Sequence, residues 1–200
     1  MARGEAAPDV EGTRRLLMRA AEACLSRYGL AKTTMEDVAA EAGMSRRTVY
    51  RYFADRDALI LAIVERRCRS LIERARGFIE SRPTFADSLV EGLVYMVEQG
   101  RRDAYVKMVI GPRNGDAAAR ILAPTQAGNR MTAELWMPIL EAAAARGELR
   151  EGVDLESVCA WLACLQIMFV GLDEPASSTA PRDMIVNFVL PSLVADRPKS

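Results

Sequence analysis

Apolar residues recur at helical spacing along most of the chain, whereas alternating apolar and polar stretches are hard to find. An all-α protein is expected. Breaks rich in Gly, Pro, Ser and Asp fall at residues 29–34, 43–45, 54–55, 81–83, 111–116, 146–154 and 173–181, and they divide the pattern into about nine helices. Leu17, Ala21, Cys24 and Tyr28 give the first helix one apolar face, and Gly29 can end it. Thr34 can cap the second helix with Asp37 three residues on, ahead of the stripe Met35, Val38, Ala39 and Ala42. Gly43 suits a left-handed stop, and Ser45 can cap a third helix only two residues later. Two short helices joined by a very tight turn are therefore expected between about Thr34 and Phe53.

At 100° per residue the third helix sets Val49 and Phe53 on one face, with Arg47, Tyr50 and Arg51 on or near the other. Apolar anchors on one side and long donors on the other suit a recognition helix in a DNA groove. Asp55 can cap the fourth helix, which puts Arg56 in its first turn. A cation there opposes the macrodipole, so a phosphate explains it better than helix stability does.

Charge supports this only locally. The 200 residues carry 27 Lys/Arg and 27 Asp/Glu, so the whole chain is neutral. Between positions 45 and 56, however, Arg46, Arg47, Arg51 and Arg56 face only Asp55, a usable phosphate footprint.

The stretch from Thr33 to Leu59, with its threonine pair, Ala42-Gly43-Met44-Ser45 turn, Thr48-Val49-Tyr50-Arg51-Tyr52-Phe53 helix and Arg56 three residues after Phe53, resembles the N-terminal domain of the tetracycline-repressor (TetR) family. The likeness covers about residues 10–65. It implies that Thr34, Ser45, Tyr50, Tyr52 and Arg56 contact phosphates, while Arg46, Arg47, Thr48 and Arg51 approach bases. Arg47 stands where the family often has glycine, and Arg56 replaces the usual lysine, adding a bidentate option. The expected organisation is a DNA-binding domain over 1–56, with a disordered N-terminal arm of about ten residues, and a ligand-binding and dimerisation domain over 57–200. The last few residues, 196–200, read as a frayed tail.

Beyond the head, the fourth helix runs through Leu59, Ile63 and Cys68 toward Ile72 and crosses the cluster Glu65, Arg66, Arg67 and Arg69. That cluster reads as a solvated face on a helix able to transmit a shift from the core to the head. Tyr95, Met96, Met108, Met131, Trp136, Met137, Trp161, Met168 and Phe169 supply adaptable apolar surface. Each singly suits ordinary core packing. The family resemblance implies a ligand cavity in this half, for which all of these but Met131 are the pocket candidates, with Gln99, Gln126, Asn129 or Gln166 as polar contacts. No concentrated acidic lining points to a strongly cationic ligand. The last two helices, about 154–171 and 182–194, carry wide apolar stripes: Val158, Trp161, Leu162, Leu165, Phe169 and Leu172, then Met184, Ile185, Phe188 and Val189. So much apolar surface calls for a partner, and by the resemblance the partner is a second copy, the pair reading a palindrome.

Other classes fit poorly. Cys24, Cys68, Cys159 and Cys164 show no CxxC spacing, and with no histidine a structural metal or cofactor is not expected. Met1 leads into a polar segment without the apolar core of a secretion signal, so a reducing cytoplasm and free thiols are expected. The longest apolar run, Val158 to Leu172, spans 15 residues against about 20 for a membrane span. An enzyme using Asp116, or Glu134 with Glu141, would lack any nucleophile and base constellation. The sequence thus reads as a homodimeric repressor of a palindromic operator, released by a small apolar or amphipathic effector. The alternative is an activator or ligand-independent regulator.

Overall fold

A computed structural model of the chain describes residues 9–111, 116–122, 126–172 and 179–195. The expected N-terminal arm up to residue 8, the tail at 196–200 and most of the breaks at 111–116 and 173–181 lie outside these residues. Among the described residues the regular structure is all helix, with no strand and one isolated bridge between Leu149 and Val194. The helices are α1 (Val10–Tyr28), α2 (Met35–Glu41), α3 (Arg46–Tyr52), α4 (Arg56–Glu80), α5 (Phe85–Arg102), α6 (Ala104–Ile110), α7 (Ala117–Leu122), α8 (Ala127–Ala145) and α9 (Leu155–Gly171). A final helix follows in three sections: α10 (Ala180–Met184), a π-helical turn (Ile185–Val189) and α11 (Leu190–Leu193). Pro191 explains the wider turn. It has no N–H to give to the preceding turn, and the Leu190 N–H reaches back five residues to the Ile185 carbonyl.

The chain divides into two compact units, residues 1–63 and 64–200. In the first unit α2 packs on both α1 and α3. Leu17, Ala21, Cys24, Val38, Val49 and Phe53 are buried there. Tyr28 departs from the expected stripe: it is 43% exposed. The helix ends at this residue, and the Arg27 guanidinium lies over its ring at 5.6 Å.

The second unit is built on α5, α8 and α9, with α8 against α9 as its most extensive pairing. Its core includes Ile79, Leu89, Leu93, Trp136, Leu140, Leu162, Phe169 and Ile185. Two local features were not visible in the hydrophobic pattern. Asp103 interrupts what reads as one helix, its carboxylate accepting from the Tyr105 and Val106 N–H groups at 2.9 and 3.0 Å. Pro138 sits inside α8 and leaves the Glu134 carbonyl without its helical donor, and Arg76 Nη2 donates to that oxygen at 3.2 Å.

The charged cluster on α4 is not simply a solvated face. Glu65 pairs with Arg130 of α8 at 2.9 Å, and Arg67 reaches Asp103 at 3.8 Å and covers the Tyr105 ring at 4.7 Å. Arg69 is exposed. All four cysteines are free thiols.

Candidate nucleic-acid interface

The turn between α2 and α3 is set by local hydrogen bonds. Thr34 caps α2: its Oγ1 accepts from the Asp37 N–H at 3.2 Å, while Asp37 Oδ2 accepts from the Thr34 N–H and hydroxyl at 2.9 and 2.7 Å. Those bonds from Thr34 hold the Asp37 carboxyl below its ordinary pKa. Gly43, at φ 64°, supplies the left-handed residue that reverses the chain. Ser45 Oγ then accepts from the Thr48 N–H at 3.1 Å and caps α3.

On α3 the burial pattern separates two faces. Val49 is fully buried and Phe53, at the helix end, is 3% exposed. Arg46, Arg47, Tyr50 and Arg51 are all exposed. At 100° per residue these four fall within an arc of about 140°. Thr48 and Tyr52 lie beyond the Arg51 edge of that arc and are half-buried. Phe53 is covered by the Arg14 guanidinium, 4.4 Å from its ring centre, and Arg14 also donates to the Tyr52 carbonyl at 3.3 Å. The helix is thus clamped on its apolar side, and three cations and a phenol point outward.

Two expected contact residues have protein partners that sequence reasoning missed. The Arg46 guanidinium pairs with the Glu36 carboxylate of α2. The local excess of positive charge read along positions 45–56 is therefore reduced by an acid nine residues upstream of that window. Arg56 Nη1 donates to the carbonyls of Leu30 and Thr33 at 3.2 and 3.3 Å, so its side chain braces the loop between α1 and α2. Thr34 and Ser45 are exposed cap residues, with Ser45 Oγ also 2.9 Å from the Thr48 hydroxyl.

The second unit holds an apolar cavity of about 80 Å³. Among the eight side chains expected around a ligand, Met96 lines it. Trp136 and Phe169 are buried in the core, Tyr95 stacks on Phe78 at 4.9 Å, and Met108 is half-buried. Trp161 and Met168 are 37% and 42% exposed, and Met137 borders a separate surface hollow. Of the polar candidates, Gln166 lines the cavity. Among the described residues no group of three or more His, Cys, Asp and Glu side chains could hold a metal, and no helix is long and apolar enough to cross a membrane.

A capped two-helix turn that buries one face of a short helix and exposes its arginines defines a helix-turn-helix DNA-binding protein. Residues 17–63 match the family described as bacterial regulatory proteins, tetR family. The chain carries the TetR-family DNA-binding domain on the all-α fold of that family's transcription regulators. A TetR-family transcriptional regulator from Pectobacterium atrosepticum superposes with a TM-score of 0.73 at 19% identity, covering 97% of this chain and 100% of that one. SmeT, the repressor of the Stenotrophomonas maltophilia multidrug efflux pump SmeDEF, gives 0.62 at 24% identity, covering 94% and 93%. RolR in complex with its ligand resorcinol gives 0.65 at 20% identity, covering 92% and 88%. No curated protein matches the sequence significantly.

Proposed function

We propose that the chain is a homodimeric repressor that binds a palindromic operator and leaves it when a small apolar or amphipathic molecule occupies the second unit. The observation that carries the DNA half of this reading is the exposed face of α3, where Arg47, Tyr50 and Arg51 stand out on a helix capped by Ser45. Arg46, Thr48 and Arg51 would reach toward bases with Arg47, and Tyr50, Tyr52 and Arg56 would meet phosphates. Residues 1–56 would form the DNA-binding domain and 57–200 the effector and dimerisation domain, working in the cytoplasm without catalysis.

Dimerisation rests on apolar surface that the single chain leaves in water. Trp161 and Met168 on α9 and Leu172 just past its end are 37–42% exposed, and Met184 and Phe188 on the last helix are 40% and 70% exposed. Residues 161, 168 and 172 fall on one side of α9, as do 184 and 188 on the last helix, so the surface is two stripes rather than scattered side chains. A second copy related by a two-fold axis would cover both and would set two recognition helices about one or more DNA turns apart.

The effector half is supported by the cavity of the second unit and by analogy with RolR, whose structure holds resorcinol. An effector releases the operator only if it binds the two conformations unequally, by several kcal/mol for a nearly complete switch. The cavity's 80 Å³ is well below the roughly 300–1,000 Å³ of a drug-sized site, and this favours, as a second reading, a regulator that needs no ligand.

A mobility-shift titration with DNA from upstream of the chain's own gene tests the first half. A dimer bound with an affinity that falls steeply with salt is expected. Absence of binding, or binding indifferent to salt, would overturn the reading.

A further inference from the structure

The cavity of the second unit is lined by residues of six helices, α4 to α9, and none of its seventeen lining side chains is Asp, Glu, Lys or Arg. Its polar groups are the Gln166 amide, the Thr132 hydroxyl and the Cys68 thiol. Burial pushes the Cys68 thiol up to about 12, so it is a neutral wall. A carboxylate or ammonium entering this space would lose its hydration and find no counter-charge.

The amide of Gln166 is oriented. Its Nε2 donates to the Leu162 carbonyl at 3.2 Å and stands 3.5 Å from Thr132 Oγ1. Exchanging its nitrogen and oxygen would set two acceptors face to face at Leu162, so the carbonyl of the preceding turn fixes the assignment. The amide oxygen is left as an acceptor, and the Thr132 hydroxyl, beside the amide nitrogen, keeps a proton to donate. One acceptor and one donor therefore sit together in an otherwise apolar wall.

Size narrows the class further. A cavity of about 150 Å³ takes up benzene, and this one measures about 80 Å³. One ring or a short chain is the upper bound, and even that requires the wall to yield. Met96 and Met131 are the unbranched side chains able to do so.

We infer that this cavity binds a small uncharged molecule carrying a single hydroxyl group, of the phenol or short-chain alcohol class, with the hydroxyl on Gln166 and Thr132 and the apolar body against the methionines. The inference rests on the effector reading above and adds the ligand's chemistry to it.

The test is direct binding to the full-length protein by calorimetry and thermal shift, with phenol, toluene, benzoate and benzylammonium, on the parent chain and on Gln166→Leu and Ala163→Leu. Phenol is expected to bind and to raise the melting temperature, and the two ions to bind at least tenfold more weakly. Gln166→Leu should weaken phenol about tenfold and leave toluene unchanged, as expected for one lost hydrogen bond. Ala163→Leu, which adds three carbons to the cavity, should weaken both. Equal binding of the ions, an unchanged phenol affinity in Gln166→Leu, or no binding by any of the four would overturn the inference. The effector reading fails separately: phenol bound with these preferences while DNA stays occupied refutes release and leaves the ligand class standing. A charged molecule that releases DNA while phenol does not bind refutes the class and leaves release standing.

Discussion

Replacing Arg56 by alanine separates two roles for this side chain, a phosphate contact and a brace for the head. The loop from Gly29 to Thr34 turns with few regular hydrogen bonds: the Thr33 N–H and hydroxyl both go to the Gly29 carbonyl, at 3.2 and 2.8 Å. The carbonyls of Leu30 and Thr33 both accept from Arg56 Nη1, and both residues are at least 95% buried. A hydrogen bond to a charged group contributes about 1.5–3 kcal/mol. Here one nitrogen serves two oxygens at 3.2–3.3 Å and the side chain is 31% exposed, so the pair together is worth about 1–2 kcal/mol. For a chain of this size that lowers the melting temperature by about 3–6 °C. Arg56→Lys, which offers the same charge from a single ammonium, should recover about half. Circular dichroism melts read the stability, and mobility shifts at low temperature read DNA binding of the still-folded variant. If Arg56→Ala melts with the parent and loses DNA affinity, the bracing argument is wrong and phosphate contact is the role.

Glu36→Gln frees Arg46 from its carboxylate partner, and affinity for a random-sequence duplex should rise, with a salt slope steeper by about one; an unchanged slope in the mobility-shift titration would mean that the pair does not restrain Arg46. Phe188→Asp places a charge on the most exposed large apolar side chain of the proposed dimer face, and light scattering on a sizing column should then give monomer where the parent gives dimer. Asp37 has its folded pKa lowered by the Thr34 bonds, so its contribution to stability is full above the unfolded value and is lost as pH falls through the folded one. Asp37→Asn should therefore be less stable than the parent at pH 7 and differ less from it as melts are taken to acid pH below the ordinary aspartate range; a gap independent of pH would refute this.

The head was legible because its determinants lie within a few residues of one another. Thr34 with Asp37, Gly43, and Ser45 with Thr48 each define a cap or turn from local chemistry, and the burial of Val49 and Phe53 follows from the wheel. What escaped involves partners brought together by packing. Glu36 and Arg46 lie on different helices, Arg56 meets carbonyls more than twenty residues upstream, and Arg76 meets Glu134 across the second unit. Asp103 escaped for a different reason. It caps α6 with no Gly or Pro at the junction itself, Gly100 lying inside α5, so α5 and α6 read as one continuous pattern.

The cavity was the hardest feature to find from side-chain type, and the reason lies in complementarity. Trp136 looked like a ligand-binding aromatic, yet it is consumed by the core because residue 92 is glycine: a Cβ there would stand 2.8 Å from both Trp136 Cη2 and Ile79 Cγ1. A large side chain beside a missing one fills its own hole. Space is instead left where Gly128, Ala163 and Thr132 line the same cavity as Met96 and Met131, small residues among flexible ones that do not fill the gap. A ligand site in such a core is a deficit of volume between helices, and no single residue announces it. The polar pair that gives the deficit its chemistry, Gln166 and Thr132, is 34 residues apart in sequence and meets only because α8 packs on α9.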